Sequence, residues 1–232
     1  IRWFSPPYGQ ISPTLFIPWA EKTGFIIELG YWILETACFQ ARQWLNSLQK
    51  EMIIAVNISS RQLLDPYFAD RVLEILQCTN LSPHLLKLEL TESILVEHLR
   101  DANDHFRRLQ KYGIQIAIDD FGTGYASLSY IQHFSFDILK IDRSFVSNID
   151  QKPKNQAIVT SILKLASQLN FKVVAEGVET LAERLFLHDR GCHYFQGYLI
   201  SAPLPPEAWP DLLHRVQTAQ ASTRAIEGNT AS

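Results

Sequence analysis

Short apolar runs and amphipathic stretches alternate along most of the chain, an order that few folds accommodate. The runs Ile53–Ile58, Leu86–Leu90, Ile114–Ile118, Ile138–Ile141, Val173–Ala175 and Tyr194–Phe195 read as strands. Between them, Ile158, Ile162, Leu165, Ala166 and Leu169 recur at helical periodicity, as do Leu99, Ala102, Phe106 and Leu109, and each set makes one apolar face. Helix ends are legible too. Thr180 with Glu183 forms a capping box, Asp65-Pro66 opens a helix, and Gly113 and Gly191 stand where a left-handed C-terminal stop belongs. Alternation of this kind gives a parallel sheet with helices outside, either open or closed as a barrel. Polar groups at or near the C-terminal ends of the strands favour the barrel: Asn57, Glu89, Asp119, Asp120, Lys140, Asp142 and Glu176. A barrel brings many strand ends to one face, whereas an open sheet gathers ligands mainly at one switch point.

With 232 residues, 47% of them hydrophobic, the chain can bury one large core, and a single domain is expected. The net charge of −3 gives no bulk attraction to a nucleic acid polymer or an anionic membrane. No apolar stretch approaches the ~18 residues of a membrane span, and the start lacks the features of a signal peptide. Cys38, Cys78 and Cys192 lie in separate apolar stretches without ligand or redox spacing, so they read as reduced core thiols of a cytosolic protein. Trp3, Trp19, Trp32, Trp44 and Trp209 read as packing residues, and the histidines show no metal-ligand spacing. Ile1-Arg2-Trp3-Phe4 reads as the end of a strand already under way, in a sequence cut from a longer protein. Residues 1–216 are assigned to the domain, and residues 217–232, almost without apolar periodicity, to a disordered tail or linker.

Glu89, Asp119, Asp120 and Glu176, with the amide oxygen of Asn57, make an all-oxygen set suited to hard cations such as Mg²⁺ or Mn²⁺. Like charges converging in a partly buried site repel and take up protons unless a cation neutralises them. Any one of these acids is as readily a helix cap at a strand end, but four together at the ends of these strands point to a metal. Lys140, between Leu139 and Ile141, projects to the face opposite them. A barrel strand turns that face inward, where an ammonium needs carboxylate partners. Asp119-Asp120-Phe121-Gly122-Thr123-Gly124-Tyr125 places two acids at a strand end and two glycines in the loop beyond.

That last run resembles the DDFGTGY segment of EAL domains. Val56-Asn57-Ile58-Ser59, Glu89-Leu90-Thr91-Glu92, Leu139-Lys140-Ile141-Asp142, Glu176-Gly177-Val178-Glu179 and Gln196-Gly197-Tyr198 match that family in order and spacing, and the resemblance extends from Ile1 to about Val216. It implies a TIM-like (β/α)8 barrel of the EAL type that hydrolyses cyclic di-GMP to linear pGpG with two Mg²⁺ or Mn²⁺ ions. Asn57, Glu89, Asp119 and Glu176 then resemble metal ligands, and Asp120 the residue that also holds the second ion. Lys140 resembles the lysine that contacts the attacking water. Glu92 resembles the residue that anchors the loop from Phe121 to Ser127, and Arg2 and Gln196 resemble side chains that touch the dinucleotide. Asp142, grouped with the metal candidates, and Glu179, grouped with the catalytic ones, are supporting residues at the same face. Family members often act as homodimers and often lie beside sensory or GGDEF domains, through which a parent protein can be anchored to a membrane.

The sequence departs from the family at its start. The Glu-Ala-Leu triplet expected just before Ile1 is absent, and with it one metal ligand and part of the first strand. Two readings follow: an enzyme domain whose sequence is truncated, or a degenerate domain that binds cyclic di-GMP as a receptor without cleaving it. Retention of the other catalytic residue types favours the first.

Overall fold

The computed structural model describes residues 1–92, 99–124 and 136–216, with residues 99–102 described by their backbone alone. Tyr125 to Ser127 of the expected site loop and residues 217–232 lie outside the described residues. An antiparallel hairpin of β1 (Trp3–Ser5) and β2 (Gly9–Ile11) comes first, followed by helices α1 (Pro13–Thr23) and α2 (Ile26–Leu48). Strand β3 (Ile54–Asn57) leads through the short α3 (Ser60–Leu63) into α4 (Phe68–Thr79) and then β4 (Leu86–Thr91). Helix α5 (Leu99–Gln110), β5 (Gln115–Phe121) and β6 (Ile138–Ile141) follow. A single turn of helix, α6 (Arg143–Val146), precedes α7 (Pro153–Gln168), β7 (Lys172–Glu176), α8 (Leu181–His188) and β8 (Tyr194–Gln196).

Strands β3 to β8 pair in chain order, each parallel to the next, as a curled six-stranded half-barrel with helices packed outside. All six expected strands are present. Sheets whose two faces are both covered need strands that are apolar on both. All four residues of β6 are buried, and in β4 Leu86, Leu88 and Leu90 are inaccessible to solvent. The outer layer matches them: Val72 and Leu76 of α4, Phe106 and Leu109 of α5, and Val159, Ile162, Leu163 and Ala166 of α7 belong to the same core.

Several local expectations are refined. The first residues do not enter the parallel sheet; Trp3 pairs with Ile11 across a Ser5-Pro6-Pro7-Tyr8-Gly9 turn, with Gly9 at φ 68°. The inward face of α7 is turned by about one residue, so Val159 and Leu163 are buried while Ile158 and Leu169 are exposed. Asp65 precedes the start of α4: its carboxylate accepts from Tyr67 N and its carbonyl from Phe68 N, and the helix proper begins at Phe68. The capping box of Thr180 and Glu183 is present, and Gly113 and Gly191 adopt φ 93° and 89° at helix ends. Cys38 and Cys192 are buried free thiols, but Cys78 is exposed, because it falls on the outer side of α4. Trp3, Trp19 and Trp32 are exposed too, around an apolar groove between the hairpin and helices α1 and α2, whereas Trp44 packs on Trp209 with ring centroids 5.5 Å apart.

Candidate metal centre

In a parallel sheet, residues in register share a face, and residues two apart along one strand share it as well. Asn57 stands beside Glu89, Glu89 beside Ala117, Ala117 beside Ile138, Lys140 beside Val174, and Glu176 beside Gln196. Stepping by twos therefore puts Asn57, Glu89, Asp119, Lys140, Glu176 and Gln196 on one face, toward its C-terminal edge. Lys140 is at the centre of the group and only 3% exposed. Its Nζ lies 2.7 Å from Glu89 Oε2, 2.7 Å from Glu176 Oε1 and 3.1 Å from Asp119 Oδ2. Burial opposes its charge, but Glu89 and Glu176 outweigh burial and raise its pKa above the ordinary lysine value.

Asp120 should by strict alternation point away from this group. It does not, because the pairing of β5 with β6 shifts register between Ile118 and Phe121, and Asp120 adopts a left-handed backbone with φ 55°. Asp119 Oδ1 accepts from Asp120 N at 3.0 Å and fixes the kink. As a result one carboxylate oxygen each from Asp119, Asp120 and Glu176 lies within 4.8 Å of the others. Opposite ligands of Mg²⁺ stand about 4.2 Å apart, so this spacing suits a hard cation. Electrostatics agree with that fit. Burial raises the pKa of Asp120, with the charges of Asp119 and Asp142 adding to it; burial likewise raises that of Glu176, although Lys140 counteracts it. One ammonium among four carboxylates leaves negative charge that a cation would neutralise.

The surrounding candidates hold loops. Glu92 is buried and accepts through Oε2 from Gly122 N at 2.7 Å; a Cβ on Gly124 would stand 2.9 Å from its other oxygen. Asp142 caps α6 by accepting from Ser144 N at 3.0 Å, and Glu179 accepts from the Arg143 guanidinium at 2.7 Å. Asn57 and Gln196 are exposed at the ends of the outermost strands. Arg2 stands at the hairpin, outside the six-stranded sheet, and donates to the Pro203 carbonyl at 3.4 Å in the segment after β8. Sequence reading recognised Glu183 only as a helix cap and overlooked Gln62. Both are buried, and both close capping boxes shortly after a strand that carries a site residue. The shared signal was a Ser or Thr, followed three residues later by Gln or Glu, two to four residues beyond the site residue.

The EAL domain family model matches residues 1–203. MucR of Pseudomonas aeruginosa, a bifunctional diguanylate cyclase and cyclic di-GMP phosphodiesterase, is 42% identical over 210 residues, covering 89% of this chain and 30% of MucR. The cyclic di-GMP phosphodiesterase PdeR of Escherichia coli is 38% identical over 209 residues, covering 90% of this chain and 32% of PdeR. The chain thus spans about a third of the length of these curated relatives. Among solved structures, the MucR phosphodiesterase in complex with cyclic di-GMP superposes with a TM-score of 0.85 at 41% identity, over 90% of this chain and 84% of that one. BlrP1 of Klebsiella pneumoniae, bound to calcium and cyclic di-GMP, gives 0.70 at 30% identity, over 76% and 44%. From its sequence, fold and acidic centre together, the chain belongs to the EAL domain family.

Proposed function

We propose that this domain hydrolyses cyclic di-GMP to pGpG with Mg²⁺ or Mn²⁺. The observation that carries the reading is the kinked end of β5, which brings Asp119 and Asp120 together beside Glu176. These three carboxylates, with Glu89 and Asn57 on the same face, would hold a pair of divalent cations. Such cations, when bound, supply an acidified water and positive charge opposite the phosphodiester. The chain's own groups do the remaining work. Lys140 holds Glu89, Asp119 and Glu176 in fixed relation, and when cations take over those carboxylates an N–H donor would be released to the attacking water. Glu92 pins the backbone at Gly122 and so places the loop over the site. Gln196, at the outer edge, and Arg2 contact the dinucleotide; Asp142 and Glu179 support the same face.

The relatives' greater length supports a setting beside further domains, such as sensory or GGDEF modules, and we extend the reading to a cytosolic homodimer. Among the described residues no helix is long and apolar enough to cross a membrane. The test is chromatography of cyclic di-GMP incubated with the folded domain, expressed with its natural flanking sequence, and either metal. Appearance of pGpG is expected. Binding by calorimetry without any pGpG would make the domain a receptor, and neither binding nor product would remove both readings.

A further inference from the structure

Five charged side chains are buried among the described residues: Glu89, Glu92, Asp119, Lys140 and Glu183. Four belong to the acidic centre or its loop, while Glu183 lies apart, on the first turn of α8 and 3% exposed. A buried carboxylate is costly unless its oxygens are satisfied. Those of Glu183 are held mainly by backbone amides: Oε1 accepts from Asn148 N at 2.7 Å, and Oε2 from Glu179 N at 2.8 Å and Thr180 N at 2.9 Å. Capping α8 explains the Thr180 contact. It does not require the bond to Asn148, 35 positions earlier in the chain, which starts the turn after α6 with a left-handed φ of 55°.

Asn148 and Glu179 belong to different loops. The loop after β6 follows Lys140 and carries Asp142; the loop after β7 follows Glu176 and carries Glu179. A second crossing joins them on the outer side, where the Arg143 guanidinium meets Glu179 and the Arg143 stem lies so close to Gly177 that a Cβ there would stand 2.3 Å from Arg143 Cγ.

We propose that Glu183 is a positioning residue for the metal centre, a buried fastener between the loops after β6 and β7 that fixes Glu176 relative to Lys140 without touching cation or substrate. The proposal rests on the metal-dependent reading of the acidic cluster. Its test compares Glu183→Gln, which keeps shape and one acceptor oxygen but cannot serve both loops, with Thr180→Ala, which weakens the cap and leaves the crossing to Asn148. Mn²⁺ binding is followed by electron paramagnetic resonance, and amide exchange by mass spectrometry. In Glu183→Gln the Mn²⁺ dissociation constant is expected to rise about tenfold, as for outer-sphere partners of metal ligands, with faster exchange in peptides covering residues 143–151 and 177–180. In Thr180→Ala it should stay within about twofold of the parent. Unchanged Mn²⁺ affinity in a folded Glu183→Gln domain, or an equal loss in Thr180→Ala, would overturn the proposal and reduce Glu183 to a helix cap. No Mn²⁺ binding in the unaltered domain would instead remove the metal-centre reading itself, and with it the purpose assigned to the fastener.

Discussion

At Lys140 one ammonium satisfies three carboxylates within 3.1 Å, so its removal strands more charge than a simple ion pair would. Breaking a buried pair typically costs about 3–5 kcal/mol. For a domain of this size Lys140→Met should therefore lower the metal-free melting temperature by on the order of 10 °C, and added Mg²⁺ should recover part of the loss. Calorimetry with and without the ion checks this; an unchanged melting temperature would mean that the carboxylates do not depend on the lysine. Glu89 and Glu92 are three residues apart and buried alike, yet their environments separate their roles. Glu89→Ala should weaken Mn²⁺ binding directly. Glu92→Ala removes a charge-assisted hydrogen bond to Gly122, of the kind that contributes about 1.5–3 kcal/mol, and should lower turnover at saturating metal instead. A metal titration of both variants decides: full rescue of Glu92→Ala with none for Glu89→Ala would reverse the assignment.

The elements show where sequence reading is strong and where it stops. Six strands were legible because each is a short, mostly apolar run, and Lys140 was legible as inward-facing because alternation within Ile138–Ile141 is regular. Asp120 was legible as a member of the acidic set, but not the way it gets there, which depends on a register shift and a left-handed φ that no period-2 pattern encodes. Nor was the partner of β1: an apolar run announces a strand but not which neighbour it pairs with. The loop after β7 gives an element-level test. Gly177 has φ 66° and the Arg143 stem packed where a Cβ would go, so Gly177→Ala combines backbone strain with a clash. It should cost about 1–3 kcal/mol. Shortening the neighbour in Arg143→Ala/Gly177→Ala should return the clash component but not the backbone one, and a double-mutant cycle in urea separates the two. Strict additivity would show that Arg143 does not press on that loop.

For the whole molecule, the excess of carboxylates at the C-terminal edge of the sheet would link cation binding, as proposed, to global stability. Binding at one hundred times the dissociation constant stabilises by about 2.7 kcal/mol, which for a domain of this size corresponds to roughly 5–10 °C. Saturating Mn²⁺ should raise the melting temperature by that amount and chelation should reverse it; equal melting curves would count against an assembled metal centre. The arrangement around Lys140 also bears on descent. Because its charge is shared among Glu89, Asp119 and Glu176, loss of any one acid leaves the ammonium with two partners, so on the proposed reading the fold should outlast the chemistry. If the domain cuts a nucleotide as proposed, a lineage could pass to merely sensing it through single, individually survivable replacements, provided that the lysine is not the first to go.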